Sequence, residues 1–397
     1  MKILFLTLAR IDSVEQKGIY HDLMMKFHQS GHELFIVYPS ERRKGGVTKL
    51  NSSKGLNILS ISTLNIQKTN VFEKGVSTLL ISRKFKKGIK KYFSNVNFDL
   101  VLYSTPPITF SEVINFIKKR DRAKTYLLLK DIFPQNAVDL GMLKNNGIIH
   151  RYLVNKEKQL YKISDYIGCM SPANKLYLIK NNPDIKSVIE VNPNSISIGN
   201  ARENKINKRQ EYNIPVEATV FIYGGNLGKP QGINFLLDVI FSNRNNPDIF
   251  FLIVGSGTEF IKILAFIEKN SIKNTKLLKT LPKQEYDNLV YSSDVGLIFL
   301  DPRFTIPNFP SRLLTYLENK KPVIAATDKV TDLGNVLVKN GFGYWSENGD
   351  LEEFNQILNK FINNRDRIEL MGNRGYEFLQ KNYSVELSYE IIMKHFN

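Results

Sequence analysis

Apolar runs too short for helices alternate along this chain with longer segments whose apolar positions recur at helical spacing. A strand buried on both faces gives the first pattern and an amphipathic helix lying on a sheet gives the second. The alternation therefore predicts parallel sheets wrapped by helices. In the first half, Lys2 to Leu8 reads as a strand, Tyr20 to Gln29 as a helix stopped near Gly31, and Glu33 to Tyr38 as the next strand. Leu100 to Tyr103, Thr125 to Leu129 and Tyr166 to Met170 continue the strands, with helices such as Thr109 to Lys119 between them. After Val188 to Val191, residues 192–210 are polar and aperiodic and form the best linker candidate. A second series follows: Thr219 to Tyr223, a helix from Ile233, Phe250 to Val254, Lys276 to Leu278, Val295 to Leu300, Pro322 to Ala325, and a last helix near Tyr383 to His395. The expected fold is α/β, with two Rossmann-like doubly wound domains facing across a cleft. Their expected bounds are 1–198 and 199–376, and 377–397 is expected to be a C-terminal helix packing back on the first domain. Folds of this kind take ligands at the carboxyl ends of their strands.

Composition narrows the class. With 397 residues, 42% hydrophobic and 23% charged, the chain has material for about two cores and no long polar tract. No apolar run approaches the ~18 residues of a membrane span. The opening MKILFLTLAR reads as a buried strand, because charge follows its apolar run without a small-residue cleavage site. Cys169 is the only cysteine, which excludes an internal disulfide and favours a reducing, cytoplasmic setting. The formal charge is +17, and it is uneven. Residues 1–200 carry 31 Lys and Arg against 15 Asp and Glu, whereas residues 201–397 carry 24 against 23. An excess of this size implies an anionic partner for the first half.

Chemistry concentrates in a few segments. Tyr223-Gly224-Gly225-Asn226-Leu227-Gly228-Lys229-Pro230-Gln231-Gly232 joins a strand to a helix. Its glycines allow close backbone approach, and a helix start with Lys229 beside it suits a phosphate. The same stretch also fits an ordinary glycine-rich turn, and no GK[ST] closes it as a Walker loop. Gly255-Ser256-Gly257 reads as a tight turn. In Asn308-Phe309-Pro310-Ser311-Arg312-Leu313-Leu314-Thr315, Ser311 is placed as an N-cap with Arg312 beside it, a second start suited to an anion. Two such starts in one domain suggest a diphosphate. Asp131 follows a strand directly and is expected at the carboxyl edge of the first sheet, and Gly18 is expected to bring another helix start there. His21 reads as an exposed surface residue. The histidines show no metal-ligand spacing, and no nucleophile elbow stands out, which disfavours metal and acyl-transfer chemistry.

Cations cluster at Arg83, Lys84, Lys86, Lys87, Lys90 and Lys91, at Lys118, Lys119, Arg120, Arg122 and Lys124, and at Arg42, Arg43 and Lys44. Beside the first cluster, Phe72, Val76, Leu79, Phe85 and Ile89 recur on one helical side, interrupted by Gly75 and Gly88. Such a helix either rests on an anionic membrane surface or packs on its own domain with its charges solvated.

These segments, with SGHELFIVYP, KDIFPQNAVDLG, VNPNSI, YGGNLGKPQG, VGSG and FPSRLLTYLENKKPVIA in order over essentially the whole chain, resemble the GT-B glycosyltransferases of glycosyltransferase family 4. Within that family they are similar to the O-antigen and capsule enzymes related to N-acetyl-L-fucosamine transferases. The resemblance implies transfer of a sugar, with retention of configuration, from a nucleotide donor, usually UDP-linked, to a lipid-diphosphate-linked saccharide. It implies no cofactor and no required metal. The basic first half argues for an anionic membrane surface bearing the acceptor, rather than for nucleic acid, and so for a cytoplasmic protein held peripherally at the inner face of a bacterial plasma membrane. Gly225, Asn226 and Lys229 would approach the diphosphate, and Ser311, Arg312 and Leu313 the phosphate and donor sugar. Leu281 would hold the base through backbone contacts, Gly18 would close over the phosphates, and Asp131 would face the acceptor and the reacting sugar. Asp131 and Lys229 are the implied catalytic residues. Many members carry two glutamates separated by seven residues, where this chain has Pro307 and Thr315. Thr315 thus stands where a carboxylate would hold the ribose, Glu318 lies one turn on, and the expected small-residue pair reads Glu318-Asn319.

Three other readings share some of these features. A nucleotide-sugar epimerase has the same architecture, a nucleic-acid-binding protein would use the basic half, and a catalytically silent scaffold at the membrane would account for the missing glutamate.

Overall fold

A computed structural model describes residues 1–65, 71–199 and 205–396, with Lys44 and residues 71–79 described by backbone alone. The Phe72, Val76 and Leu79 side chains of the expected apolar stripe, and residues 200–204 of the expected linker, lie outside the described set. The chain divides into two compact units, Met1–Ser197 with Val385–Asn397, and Ile198–Ser384.

The first unit runs β1 (Lys2–Leu6), α1 (Ile19–Gln29), β2 (Glu33–Glu41), β3 (Lys49–Ser53), β4 (Leu56–Thr63), α2 (Val71–Tyr92), β5 (Leu100–Ser104) and α3 (Ser111–Asp121). It continues with β6 (Lys124–Leu129), α4 (Gln135–Asp139), α5 (Ile148–Ile163), β7 (Tyr166–Cys169), α6 (Pro172–Asn181) and β8 (Val188–Val191). The sheet order is β3-β4-β2-β1-β5-β6-β7-β8, parallel except for the antiparallel β3–β4 pair. That hairpin escapes the sequence reading because β3 is a mostly exposed polar edge, KLNSS. Successive residues of β1 feed opposite cores: Leu4 and Leu6 join the cluster of Phe35, Phe85 and Phe110, whereas Ile3 and Phe5 join that of Met24, Phe27 and Ile36. This two-sided burial makes the strands read as unbroken apolar runs.

The second unit contains β9 (Thr219–Asn226), α7 (Ile233–Ser242), β10 (Ile249–Ser256), α8 (Phe260–Lys269), β11 (Thr275–Leu278), α9 (Lys283–Ser292), β12 (Val295–Phe299) and α10 (Arg312–Glu318). It ends with β13 (Val323–Thr327), α11 (Leu333–Lys339), β14 (Gly343–Glu347), α12 (Leu351–Ile362) and α13 (Asp366–Asn382). Its six strands, ordered β11-β10-β9-β12-β13-β14, pair in parallel throughout. The winding reverses between β9 and β12, so the switch point falls at the carboxyl end of β9.

The segment returning to the first unit begins at Val385, not at 377, because α13 continues to Asn382 within the second unit. From there α14 (Val385–Met393) packs on α1: the Tyr389 and Phe27 rings are 5.0 Å apart, and the Ser388 hydroxyl donates to Asn192 Oδ1 at 2.7 Å.

Candidate functional site

The glycine-rich segment joins a strand to a helix as its pattern predicted, and the strand is β9, at the switch point. β9 runs on through Gly224, Gly225 and Asn226 before a single 3-10 turn, Lys229–Gln231, and a left-handed Gly232 lead into α7. Gly225 has φ +119°, a conformation costly for any side chain. Each neighbouring glycine makes room for something specific. A Cβ at Gly224 would lie 1.8 Å from the Tyr286 hydroxyl, one at Gly255 would lie 1.9 Å from the Gly225 carbonyl, and one at Gly257 would lie 2.2 Å from the Leu227 carbonyl. The Gly255-Ser256-Gly257 turn is thus a structural bed for the loop above it, closed by Leu227 N–H donating to the Ser256 carbonyl at 3.0 Å.

Arg312 is brought to this loop from α10. Its guanidinium carbon lies 4.4 Å from the Tyr223 ring centre and 3.8 Å from where a Gly225 Cβ would stand. One guanidinium nitrogen donates to the side-chain oxygen of Gln231, which also accepts from the Tyr223 hydroxyl at 3.3 Å. The other, Nη1, is buried without a partner among the described residues. A buried donor left open is costly unless a ligand completes it, and a planar fork suits a phosphate. Lys229 is exposed on the same loop, with no ion pair among the described residues.

Ser311 precedes α10 as predicted, but its backbone is already helical and its side chain makes no capping hydrogen bond. The helix has only seven residues, so the positive charge at this end comes from Arg312 itself. Leu313 is fully buried and anchors the helix. Thr315 is half-buried, whereas Glu318 is 8% exposed, so Thr315 is the more solvent-accessible of the two. Leu281 is half-buried in the loop between β11 and α9, and neighbouring Thr280 donates to Ser256 Oγ at 3.0 Å, joining that loop to the same sheet edge.

Sequence reasoning missed Tyr223, Tyr286 and Tyr316. The Tyr316 ring covers Gly296, and its hydroxyl accepts from Gly224 N–H at 3.1 Å. Burial raises all three phenols above their ordinary pKa, Tyr316 to about 12, so they stay neutral around the guanidinium. The available signal was small residues, Gly224 and Gly296, inside strands otherwise built of large ones.

In the first unit, Asp131 follows β6 at the carboxyl edge. Thr105 Oγ1 accepts from the Lys130 and Asp131 amides at 3.0 and 3.3 Å and fixes that turn. Desolvation by surrounding protein raises the Asp131 carboxyl to about 6, although the residue is exposed and water tempers the effect. Lys130, also unforeseen, is lowered to about 7 by burial and donates to the Asn192 carbonyl at 3.4 Å.

Gly18 departs from expectation. Its φ of 162° is ordinary extended backbone, and its N–H donates at 3.1 Å to the Asp22 carboxylate, which also accepts from Ser197 N–H at 2.8 Å. A carboxylate therefore occupies the α1 start where a phosphate was expected. His21 is partly buried rather than exposed, with Nε2 buried and without a partner among the described residues, and its pKa lowered by burial.

Of the two readings of the α2 stripe, its described part packs on its own domain. α2 passes through both glycines as one helix, and Phe85 and Ile89 are fully buried in the sheet core. Gly88 allows this, since a Cβ there would meet Ile61 at 2.3 Å. Lys118 and Arg120 are engaged by Asp165 and Asp121, whereas Arg83, Lys87, Lys90 and Lys91 remain exposed.

Residues 204–378, most of the second unit, match the family model described as Glycosyl transferases group 1. The chain is similar to the probable glycosyltransferase WbjE of Pseudomonas aeruginosa, 22% identical over 304 residues that cover 74% of this chain and 72% of that one. An uncharacterized glycosyltransferase of Methanocaldococcus jannaschii is 26% identical over 258 residues, covering 65% and 66%. Among solved structures, sucrose-phosphate synthase from Thermosynechococcus elongatus superposes with a TM-score of 0.77 at 15% identity, covering 100% of this chain and 98% of that one. Anabaena HepE in complex with UDP and glucose gives 0.68 at 15%, covering 100% and 99%. The fold is that of GT-B glycosyltransferases, and the group 1 domain together with the glycosyltransferase relatives supports transferase activity.

Proposed function

We propose that the protein is a retaining glycosyltransferase of family 4, moving a sugar from a UDP-linked donor to a lipid-diphosphate-linked saccharide in assembly of a bacterial surface polysaccharide, an O-antigen or capsule. The observation that carries this is the Arg312 guanidinium, stacked on Tyr223 and tethered to Gln231 beside Gly225, with one buried donor left open. Support for a UDP-sugar comes from the superposable HepE complexes, which contain UDP, UDP with glucose, and UDP-glucose.

In this reading the bond from the sugar's anomeric carbon to the donor diphosphate breaks while an acceptor hydroxyl bonds that carbon from the same face. The acceptor's proton passes to the departing phosphate. Charge growing on that phosphate is met by Arg312, held in place by Tyr223 and Gln231, and by Lys229. Loss of one preorganised donor of this kind costs roughly 100- to 1000-fold in rate. No metal is required, and Asp131 serves the acceptor side. Thr315 offers the ribose one hydroxyl where the family resemblance implies a carboxylate. The test is thermal stabilisation by UDP-, GDP- and dTDP-sugars, followed by transfer to a lipid-diphosphate saccharide with and without chelator. Stabilisation by none of the nucleotides defeats the proposal.

A further inference from the structure

One run of exposed apolar side chains among the described residues of the first unit leads into α5. Past α4, the chain turns through Met142, 62% exposed, and enters α5 at Ile148 and Ile149, 85% and 65% exposed, with Tyr152 at 42%. Ile148 and Ile149 lie four and three residues before Tyr152, so the three share one side of the first turns. The opposite side is committed to the protein: His150 and Tyr161 are buried. The apolar tip is therefore a deliberate projection of a helix whose inner face is already satisfied.

Its rim is cationic. Lys144 and Arg151 are exposed, and the Lys156 ammonium sits 5.6 Å from the Tyr152 ring centre, along the same outward stripe. Between 142 and 158 the one acidic residue is Glu157, which accepts from the Tyr161 hydroxyl at 2.7 Å. Isoleucines at a tip, a tyrosine behind them, and lysine and arginine around them match the layering of a bilayer surface from acyl chains to anionic headgroups. The tip also follows β6 and α4, on the path that leaves the same strand end as Asp131.

We propose that residues 142–152 form a wedge that inserts into an anionic lipid surface, with Ile148 and Ile149 entering the acyl boundary and Tyr152 at the headgroups. The lysines of α2 then add long-range attraction only. The proposal rests on the reading of the first unit as the acceptor side, and its test is scored without donor or acceptor so that the two stand or fall separately.

The full chain is sedimented with vesicles of phosphatidylcholine alone and of phosphatidylcholine with about one-third phosphatidylglycerol. The expected result is binding to the anionic vesicles, weakened about tenfold or more in the Ile148→Ser, Ile149→Ser double variant, whose melting temperature and UDP binding stay as in the parent. In an Ile149→Trp variant, brominated lipid should quench the new emission, separating insertion from surface attraction. Equal vesicle binding by parent and double variant overturns the wedge, as does a parent that binds no anionic vesicle. A concentration-dependent dimer that the double variant abolishes, without vesicle binding, would instead assign the tip to a second copy of the chain.

Discussion

The Arg312 guanidinium lies 4.4 Å from the centre of the Tyr223 ring, and the two side chains share the oxygen of Gln231. The arginine is thus positioned by flat contacts that a lysine cannot reproduce. Arg312→Lys, which keeps the charge, is expected to weaken UDP binding about tenfold or more, measured by calorimetric titration. Undiminished affinity would show that charge alone matters at this position.

Lys229 separates binding from folding. It is exposed and without an ion pair among the described residues, so Lys229→Ala should leave stability within about 0.5 kcal/mol. Donor affinity should nevertheless fall, and the salt dependence of that affinity should flatten. Transfer unchanged at saturating and subsaturating donor would remove Lys229 from the site.

Gly255 tests the bed beneath the loop. An added methyl would meet the Gly225 backbone carbonyl at 1.9 Å, with no flexible side chain to yield. Gly255→Ala is expected to cost about 1–3 kcal/mol in chemical denaturation and to weaken nucleotide binding together with it.

Glu157 gives the first unit a pH signature. Burial raises its carboxyl to about 7, the Tyr161 hydroxyl opposing. A raised carboxyl means that the folded state holds the proton between the ordinary glutamate range and pH 7. Stability from this group is therefore full at low pH and lost as pH rises through 7. Glu157→Gln should melt close to the parent at pH 5 and above it at pH 8. A constant difference across that range would remove Glu157 as its source.

Asp131 belongs to the first unit, whereas Arg312 and Lys229 belong to the second. Asp131→Asn should therefore lower transfer through kcat or the acceptor KM while leaving the UDP dissociation constant unchanged. Loss of UDP affinity in this variant would contradict the assignment.

Much of this was legible in the chain, for identifiable reasons. Strands buried on both faces announce themselves as apolar runs, and Gly224 to Gly232 announce a loop at a strand end. The β3–β4 hairpin was not, because Lys49–Ser53 is mostly exposed and polar and offers a single apolar residue, Leu50. On α2, periodicity correctly marked Phe85 and Ile89 as one face but said nothing of what covers it. Gly88 was the clue, since it permits contact with Ile61. Conversely, Ile148 and Ile149 look like ordinary core residues in sequence, and only their exposure sets them apart. At Gly18 the pattern suggested an open helix start, but Asp22 already fills it from within the helix.

The return of α14 to the first unit bears on how the protein is made. Val385, Ile392 and Met393 complete the core that contains Met24 and Phe27, yet they leave the ribosome after the whole second unit. The first unit must therefore persist through most of translation with one wall absent. A released chain ending at Ser384 should show a second unit able to resist protease and a first unit still open to it around α1.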